Sequence, residues 1–453
     1  MDQESYLEVV DRIYDLPGHL LGRTDVFVPS PEQRLERIGV TREFLDRTVP
    51  GWREVRTVHV AGTSGKGSTA WMLAAMLSRR HRTGLVTSPH LFDVRERIRI
   101  DLEPISREDL VRIFCDRVEA PCRRLVEEDD SLALRFPEVI LACAFAHFLD
   151  VGVTWAVVEV ALGGRFDQTN VLEPQAAAIT NVSFDHMHQL GDSLEEIAYH
   201  KAGVIKNGVP VYTTEEDETV LSVIRQEADS VGAPLHLVRA DPGPGGTLRF
   251  RGNDWTLAMR GEHQRRNAAL GLTIALDVAG LAATDCKAAL ATAQMPARFQ
   301  EVRPGLYADV AHNPAKTRAL AATISEVLAG RRTVLVVGMT DRKGAPEVLA
   351  PLVEVADAAI FTRSRYRGTD PSSLLTAWEG LGDKVAPAQV VDRPREALET
   401  AIELAGDGGA VVVTGSTFVV DEALNPEAEL LEANALYVPP GETLGVNKRP
   451  EGA

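Results

Sequence analysis

The segment GTSGKGS, at residues 62–68, has the residue types of a phosphate-binding loop. Its glycines allow successive backbone N–H groups to face an anion, and a helix that starts there adds partial positive charge. Lys66 can reach the β- and γ-phosphates of a nucleotide, and a hydroxyl at Ser68 or Thr69 can face Mg²⁺. Two residues separate the first two glycines, whereas four separate them in the common Walker loop. The segment predicts a nucleoside triphosphate site, with a simple ATPase or kinase, or a plain glycine-rich turn, as alternatives.

Carboxylate, histidine and lysine side chains follow further strand-like runs. Glu159 lies at the end of the buried strand in VVEVALGG, Asp185 and His186 follow ITNVSF, and Lys201 ends the next helical stretch. The carboxyl ends of parallel strands meet at one edge, where open α/β sheets bind ligands. Together these residue types indicate a hard-metal site for phosphoryl transfer. Taken singly, Glu159 also fits a buried structural carboxylate, Lys201 an exposed helix lysine, and His188 a surface histidine.

The elements that must position these residues alternate between buried strands and apolar helices. Strands are expected at 56–60, 83–86, 154–160 and 176–182, and helices at 69–80 and 137–149. This alternation predicts a P-loop-type α/β domain with a doubly wound, mainly parallel sheet and helices on both faces. Short alternating runs between Pro/Gly turns at 234–260 predict a small antiparallel patch.

A domain boundary is expected at 295–298, because the β/α alternation restarts after it. The restart predicts a second, Rossmann-like α/β domain at the C-terminal end. We therefore divide the chain into 1–297, an ATP-binding domain with an N-terminal substrate-binding segment, and 298–437, the C-terminal domain. The remaining tail, 438–453, has little to pack and is expected to be flexible.

The composition excludes several classes of protein. Of the 453 residues 45% are hydrophobic and 25% charged, and the net charge of −17 disfavours wide contact with nucleic acid or an anionic membrane. No apolar run approaches the roughly 20 residues that span a membrane, and the acidic N-terminus does not resemble a signal peptide. The four cysteines lack metal-binding spacing, so we expect reduced thiols in a cytoplasmic protein. An anionic substrate needs a local cationic pocket, for which TRSRYRG (362–368) is the candidate and a solvated basic loop the alternative.

Ten short segments form an ordered set that is far more specific than any one of them. They are LERI (35–38), HVAGTSGKGST (59–69), TSPHL (87–91), ERIRI (96–100), EVALGGRFDQTN (159–170), DH with KAGVIK (185–206), GEHQRRNA (261–268), ARFQ (297–300), DVAHNP (309–314) and TGS (414–416). In this order they resemble the dihydrofolate synthase/folylpolyglutamate synthase family of the Mur ligase superfamily. The similarity extends over about residues 1–435, and TSPHL with ERIRI is its most folate-specific part.

This resemblance implies an ATP-dependent amide ligase that joins L-glutamate to a folate-type carboxylate, either dihydropteroate or tetrahydrofolyl-(poly)glutamate. The γ-phosphate moves to the acceptor carboxylate, the glutamate amine attacks the acyl phosphate, and a tetrahedral intermediate collapses to amide, ADP and phosphate. It further implies two Mg²⁺ ions, K⁺ as an additional cation, a carbamylated Lys201, small-molecule partners only and a monomer. The C-terminal domain would act as the glutamate-ligase domain and close on ATP to exclude water.

The resemblance also implies roles residue by residue. The nucleotide-binding set is Gly62, Thr63, Gly65, Lys66, Gly67, Ser68, Thr69, Asn267, Arg298 and Asp309, the last at the ribose. The metal set is Ser68, Ser88, Glu159, His186 and Lys201, and the catalytic set is Lys66, Glu159, His186, Lys201 and His312. The acceptor set is Phe136, Glu138, Phe166, Asp167 and Gln168.

Five positions depart from the family pattern. They are Ser64 where Asn is usual, Ala297 and Val310 where Gly is usual, His200 where Glu is common, and Pro137 where a larger residue is common. None of them removes an ATP or metal residue, so the ligase mechanism is expected to hold while the acceptor is less constrained. A ligase of the same mechanism for a non-folate acid stays open. A non-catalytic nucleotide-binding protein is disfavoured, because the predicted catalytic residues are all present.

Overall fold

The computed structural model describes residues 3–15, 31–129, 132–340, 344–382 and 385–425. Its helices are α1 (Gln3–Asp15), α2 (Pro31–Thr48), α3 (Lys66–Leu77), α4 (Arg107–Ile113), α5 (Glu119–Glu128), α6 (Phe136–Asp150), α7 (Met187–Leu190), α8 (Leu194–Ala202), α9 (Glu218–Ser230), α10 (Glu262–Asp277), α11 (Ala283–Leu290), α12 (Pro314–Val327), α13 (Ala345–Val353), α14 (Pro371–Glu379), α15 (Pro394–Ala405) and α16 (Thr417–Leu424). Its strands are β1 (Arg56–Ala61), β2 (Thr83–Val86), β3 (Ile98–Ile100), β4 (Glu103–Pro104), β5 (Trp155–Glu159), β6 (Ala176–Ile179), β7 (Val211–Thr213), β8 (Leu235–Leu237), β9 (Asp241–Pro242), β10 (Leu248–Phe250), β11 (Asn253–Trp255), β12 (Gln300–Arg303), β13 (Leu306–Ala308), β14 (Thr333–Val337), β15 (Ala358–Phe361), β16 (Ala388–Val390) and β17 (Ala410–Thr414).

The first sheet has eight strands in the order β4-β3-β2-β5-β1-β6-β7-β8. Its strands run parallel from β2 to β8, and β3 and β4 pair antiparallel at one edge. The central strands β1, β2, β5 and β6 are almost wholly buried, because α3, α10 and α11 cover one face and α6 packs on the other. This order places the segments that follow β1, β2, β5 and β6 side by side at one edge of the sheet.

A three-stranded antiparallel sheet, in the order β11-β10-β9, forms the patch that the sequence predicted. Leu248 and Trp255 are buried in the same core cluster as α10. This small sheet therefore extends the core under the helix that carries Asn267.

The second large sheet has six strands in the order β12-β13-β17-β14-β15-β16. Within it β12 is antiparallel to β13, and the other pairs are parallel. Helices α12, α13 and α14 pack in one core cluster and α15 and α16 in another. Together the three sheets confirm the predicted fold class of two α/β units with mainly parallel sheets and a small antiparallel patch.

The connection between the two large sheets is a tight turn. Ala297 and Phe299 have φ values of +50° and +43°, which residues with a Cβ adopt rarely. Ala297 is buried, and its N–H donates to Gln300 Oε1 at 3.1 Å. The turn therefore holds Arg298 in a defined place between the sheets. The predicted domain limits stay a prediction, and the predicted tail, 438–453, lies outside the described residues.

No helix in the described parts of the chain combines the length and apolarity that crossing a bilayer requires.

Candidate active site

The phosphate loop leads directly from β1 into α3. The helix begins at Lys66, earlier than the sequence predicted, because Gly65 takes a left-handed conformation (φ +82°) at its N-cap. Gly62 also has a positive φ, and a Cβ there would overlap the hydroxyl of Thr180. A Cβ at Gly65 would overlap the side chain of Asn267. Glycine is therefore required at both positions, and the loop lies against α10.

The end of β6 holds the loop by hydrogen bonds that the sequence analysis did not anticipate. Thr63 N donates to Asn181 O at 2.7 Å, and Ser64 N donates to Asn181 Oδ1 at 2.9 Å. The Thr180 hydroxyl donates to Ser64 O at 2.5 Å. The sequence predicts a strand over 176–182, whereas β6 ends at Ile179, and the role of Thr180 and Asn181 in clamping the loop depends on β6 lying next to β1.

Two lysines meet at one backbone carbonyl of the loop. Lys66 Nζ donates to Gly62 O at 3.1 Å and to Thr63 O at 3.4 Å, and Lys201 Nζ donates to Gly62 O at 2.9 Å. Lys201 is buried near the end of α8, so it is not an exposed helix lysine. Burial, and after it the charge of Lys66, lowers the pKa of Lys201 to about 7. Two cations this close repel each other, so an anion at the loop stabilises both.

Glu159 lies at the carboxyl end of β5, beside the loop. Its Oε2 accepts a hydrogen bond from Ser88 N at 2.9 Å, and a Cβ on Gly67 would lie 3.3 Å from the same oxygen. Burial raises the pKa of Glu159, and the charge of Lys66 opposes that rise. Among the described residues, Ser88 supplies the one hydrogen bond to this carboxylate, which leaves lone pairs for a cation.

The oxygen atoms around Glu159 fit a hard cation. Thr69 Oγ1 is buried without a hydrogen-bond partner, and Ser68 is buried beside it. In the part of the chain that the structure describes, no three His, Cys, Asp or Glu side chains come together as a metal cluster. Mg²⁺ usually takes one or two carboxylates and completes its shell with phosphates and water. A single carboxylate, Glu159, beside the start of α3 suits that arrangement better than an all-protein cage, and the metal contacts of the Ser68, Thr69 and Ser88 hydroxyls stay predictions.

The Asp185–His186 pair follows β6 at the same edge of the sheet. His186 has a φ of +50°, which is strained for a residue with a Cβ, and it directly precedes α7. Its Nε2 lies 3.8 Å from Asp185 Oδ1, and its ring centroid lies 6.3 Å from that of His188. Desolvation lowers the pKa of His186, Asp185 opposes the change, and Lys66 adds to it. The neutral imidazole is the form that binds a metal; the metal role of His186 stays a prediction.

Arg298 and Asp309 lie where the two large sheets meet. Asp309 accepts hydrogen bonds from Phe299 N at 2.9 Å through Oδ2 and from Ala311 N at 2.8 Å through Oδ1. Desolvation raises the pKa of Asp309, and the charge of Arg298 opposes that rise. Asp309 thus binds the turn that carries Arg298, and its contact with a ribose stays a prediction.

Asn267 and His312 approach the loop region from α10 and from the segment before α12. Asn267 Nδ2 donates to Gln264 Oε1 at 3.0 Å, and the side-chain oxygen of Asn267 faces Gly65. His312 Nδ1 lies 2.8 Å from Val310 O. Asn267 therefore lies directly against the phosphate loop, and the nucleotide contacts predicted for Asn267, Arg298 and Asp309 stay predictions.

Two predicted acceptor residues lie at the start of α6. Phe136 stacks on Tyr14 with ring centroids 4.1 Å apart, and the Arg97 guanidinium lies 4.9 Å from the Phe136 ring. Glu138 is the third residue of α6 and accepts from Arg37 Nε at 2.9 Å, from a second Arg37 nitrogen and from Arg135 N. The Glu138 carboxylate thus joins α2 to α6, and its contact with substrate stays a prediction.

The other three predicted acceptor residues follow β5. Phe166 packs edge-on against His200, with ring centroids 5.4 Å apart. Asp167 Oδ1 accepts from Thr169 N at 3.0 Å and from Thr169 Oγ1 at 2.5 Å, so it caps the turn. Gln168 is half-buried in that turn. Asp167 is thus engaged within the protein, and the Arg34 guanidinium lies 5.6 Å from the centroid of the Phe166 ring.

A buried polar chain, which the sequence analysis missed, ties this turn to β1. His59 Nε2 lies 2.8 Å from Thr169 Oγ1, and the Thr169 hydroxyl donates to Asp167. Since that hydroxyl proton is used, His59 Nε2 must be the donor to Thr169. Burial lowers the pKa of His59 to about 3, so the ring stays neutral. The period-two pattern of β1 marked His59 only as one more strand residue.

The arginines of the TRSRYRG segment are largely engaged within the second unit. Arg363 Nε lies 2.8 Å from Asp392 Oδ1, and Arg365 Nε lies 3.5 Å from Glu422 Oε2. Arg367 lies over the ring of Tyr366, 5.9 Å from its centroid. Arg363 and Arg365 are therefore paired with carboxylates, which favours the alternative of a solvated basic loop.

Comparisons with known proteins agree with this geometry. Residues 297–417 match the family described as Mur ligase, glutamate ligase domain. The chain is 31% identical over 411 residues to the dihydrofolate synthase/folylpolyglutamate synthase of Bacillus subtilis (strain 168), which covers 85% of this chain and 93% of that protein. A Mycobacterium tuberculosis folylpolyglutamate synthase complexed with ADP is similar with a TM-score of 0.80 and 30% identity, covering 93% of this chain and 98% of that one. A bifunctional folylpolyglutamate synthase/dihydrofolate synthase from Yersinia pestis, complexed with AMPPNP and a Mn ion, has a TM-score of 0.74 and 29% identity, covering 88% and 93%. The resemblance found in the sequence is confirmed, and the chain belongs to the dihydrofolate synthase/folylpolyglutamate synthase family of Mur ligases.

Proposed function

We propose that this protein joins L-glutamate to a folate-type carboxylate in an ATP-dependent reaction that releases ADP and phosphate. The observation that carries the proposal is the meeting of Lys66 and Lys201 at the Gly62 carbonyl, beside the buried Glu159. In a chain of this family, such a group is suited to hold a triphosphate and a hard cation at the point where a carboxylate must be activated.

The reaction needs activation because a carboxylate is a poor electrophile. Transfer of the γ-phosphoryl group breaks its bond to ADP and forms a bond to the acceptor carboxylate. The glutamate amine then attacks this acyl phosphate, and the tetrahedral intermediate expels phosphate and leaves the amide. Lys66 neutralises charge on the moving phosphoryl group, and Arg298 and Asn267 hold the nucleotide.

Two divalent cations, Mg²⁺ in the first instance, would neutralise the phosphates and orient the two carboxyl substrates. Ser68, Ser88 and Glu159 would hold one, and His186 the other. Lys201, as a carbamate formed with CO₂, would add an anionic oxygen on the metal side, which an ammonium cannot do. K⁺ is a further candidate cation. His312 would complete the site from the second unit, and closure of the units would protect the acyl phosphate from water.

A non-folate acid is the second candidate acceptor, and one observation favours it. A pterin ring offers N–H donors that carboxylates accept, and Glu138 and Asp167 both already accept hydrogen bonds from the protein. The aromatic residues near them, Phe136 and Phe166, pack against Tyr14 and His200. We propose a monomer that acts in the cytoplasm on small molecules. We also propose that it has no nucleic acid or membrane partners, which the net charge of −17 supports.

A mass-resolved ligation assay tests the proposal. The protein receives ATP, Mg²⁺ and L-glutamate with dihydropteroate, with tetrahydrofolate, or with no acceptor. One glutamyl mass added to dihydropteroate shows dihydrofolate synthase activity, additions to tetrahydrofolate show polyglutamate synthase activity, and both show a bifunctional enzyme. No product with either pterin, from protein that still binds ATP, refutes the folate acceptor and favours the non-folate acid.

A further inference from the structure

Lys316, which the sequence analysis did not select, forms a defined pair with His312. Its Nζ lies 3.0 Å from His312 Nε2, while His312 Nδ1 lies 2.8 Å from Val310 O. A carbonyl oxygen only accepts, so Nδ1 carries the ring proton and Nε2 is the acceptor. Lys316 is therefore the donor, and its ammonium fixes both the tautomer and the orientation of the His312 ring.

The place of this ammonium in the fold is electrostatically unfavourable. Lys316 lies in the first turn of α12, where Asn313 Oδ1 accepts from its N–H at 2.9 Å, and a cation is disfavoured at a helix N-terminus. The pKa of Lys316 is lowered to about 8, mainly by desolvation. The charge of Asp185 opposes this lowering, and the charges of Lys66 and Arg298 increase it. The carboxylates of Asp185 and Asp309 oppose this repulsion without pairing directly with Lys316 within the described residues.

The groups that act on Lys316 come from both units of the protein. Lys66 belongs to the phosphate loop and Asp185 to the edge of the first sheet, whereas Arg298 lies in the connecting turn. Packing brings these elements together, because Arg265 Nη1 of α10 lies 3.1 Å from Glu326 Oε1 of α12, and α10 also lies against the phosphate loop. Lys66 and Arg298 both repel Lys316, so the three cations together suit a strongly anionic group. A terminal phosphate meets that requirement better than a single carboxylate, because Lys66 already lies on the loop that would cradle it.

We propose that Lys316 is a further phosphate-binding residue, contributed by the second unit, whose ammonium contacts the terminal phosphate of ATP and holds His312 beside it. The inference rests on the proposed use of ATP but not on the identity of the acceptor. Lys316 would bind an anionic oxygen, and both the terminal phosphate of ATP and the carboxylate of the incoming glutamate offer one. The test must therefore separate these two ligands.

Two variants separate the charge of Lys316 from its hydrogen bond. Lys316→Gln keeps an N–H donor for His312 Nε2 and removes the charge, whereas Lys316→Arg keeps the charge. Arg318→Gln is the matched control, because Arg318 lies exposed on the same helix. Each variant is titrated calorimetrically with Mg²⁺ and either ADP or a non-hydrolysable ATP analogue, with neither acceptor nor glutamate present.

We expect Lys316→Gln to weaken binding of the ATP analogue about tenfold or more and binding of ADP less than about twofold, since the lost contact is to the terminal phosphate. Lys316→Arg and Arg318→Gln should bind both nucleotides within about twofold of the unmodified protein. Equal losses for ADP and the analogue, or no loss for either, overturn the proposal. So does weaker binding of L-glutamate in a separate titration with nucleotide binding unchanged, which would assign Lys316 to the amino-acid carboxylate.

A readout in the free protein checks the pair itself. Desolvation, and after it the charge of Lys316, lowers the pKa of His312 to about 4. The His312 ring should therefore titrate at higher pH in Lys316→Gln than in the unmodified protein, as followed by NMR of the ring protons. An unchanged His312 titration would contradict the pair. Because neither measurement contains an acceptor, failure of the pterin ligation assay would leave both results interpretable.

Discussion

Acidification from pH 8 to pH 6 at constant CO₂ pressure should remove the carbamate from Lys201. Only the neutral amine adds CO₂, and burial with the nearby Lys66 charge lowers the pKa of Lys201 to about 7. About nine-tenths of the amine is then neutral at pH 8 and about one-tenth at pH 6, whereas an ordinary lysine would be neutral in only about three molecules per thousand at pH 8. Carbamate formation also releases a proton, so its occupancy should fall by at least the roughly tenfold loss of neutral amine.

The assay combines ligation rates with carbon NMR of protein equilibrated with ¹³C-labelled bicarbonate. A carbamate signal should be present at pH 8, should decrease at pH 6 together with the rate, and should be absent in Lys201→Ala. A short carboxylic acid should partly restore the rate of Lys201→Ala by replacing the lost anion.

Lys206→Ala is the matched control for this experiment. Lys206 is a second lysine of the KAGVIK segment with a lowered pKa, about 8, but its Nζ donates to Asn170 Oδ1 at 2.7 Å, away from the Gly62 carbonyl. The labelled signal should persist in that variant. Full activity in CO₂-free buffer at pH 8, together with no carbamate signal in protein equilibrated with labelled bicarbonate, would refute the reasoning and leave Lys201 acting as an amine or ammonium.

Three further substitutions have defined expectations. Lys66→Ala should abolish phosphate release, because Lys66 is the loop cation that reaches the moving phosphoryl group; unimpaired turnover would remove that role. Glu138→Ala should lower the free energy of unfolding by about 3 kcal/mol in urea titrations, because it removes the carboxylate that accepts hydrogen bonds from Arg37 and from Arg135 N. An effect only on the KM of the acceptor would indicate substrate contact instead. Ala297→Gly should change the free energy of unfolding by less than about 1 kcal/mol. Relief of the left-handed strain, about 1–2 kcal/mol, is offset by the loss of a buried methyl group and by a more flexible unfolded chain. A gain in the free energy of unfolding above about 2 kcal/mol would show that strain dominates.

The phosphate loop and Glu159 were predictable because their signals are local. Glycine spacing, a preceding strand and a following helix identify the loop, and a carboxylate at the end of an apolar strand identifies Glu159. The contact between Glu159 and Ser88 is different, since 71 positions separate the two residues. It exists because β2 pairs with β5, and strand order is a property of the whole sheet that the period of each strand does not encode.

Glu138 and Asp167 also had a local structural signal, although the family resemblance assigned both residues to the acceptor site. Glu138 is the third residue of α6, where a glutamate commonly accepts from the backbone N–H of the N-cap residue, and it does so from Arg135 N. Asp167 precedes Thr169 by two residues, the spacing of a capped turn. Lys316 gave no such signal, because its contact with His312 depends on where α12 starts relative to the preceding turn.

The overall charge of the protein and the charge of its site follow from opposite requirements. A net charge of −17 keeps polyanions away from most of the surface, so an anionic nucleotide is attracted only where cations outnumber acids. Lys66 and Lys316 supply cations from two different units; Asp185 attracts Lys316, and after it Lys66 repels Lys316 when no ligand lies between the two lysines. A terminal phosphate between them turns that repulsion into two attractions. Closure should therefore follow nucleotide binding, and water should be excluded only once there is a phosphoryl group to transfer.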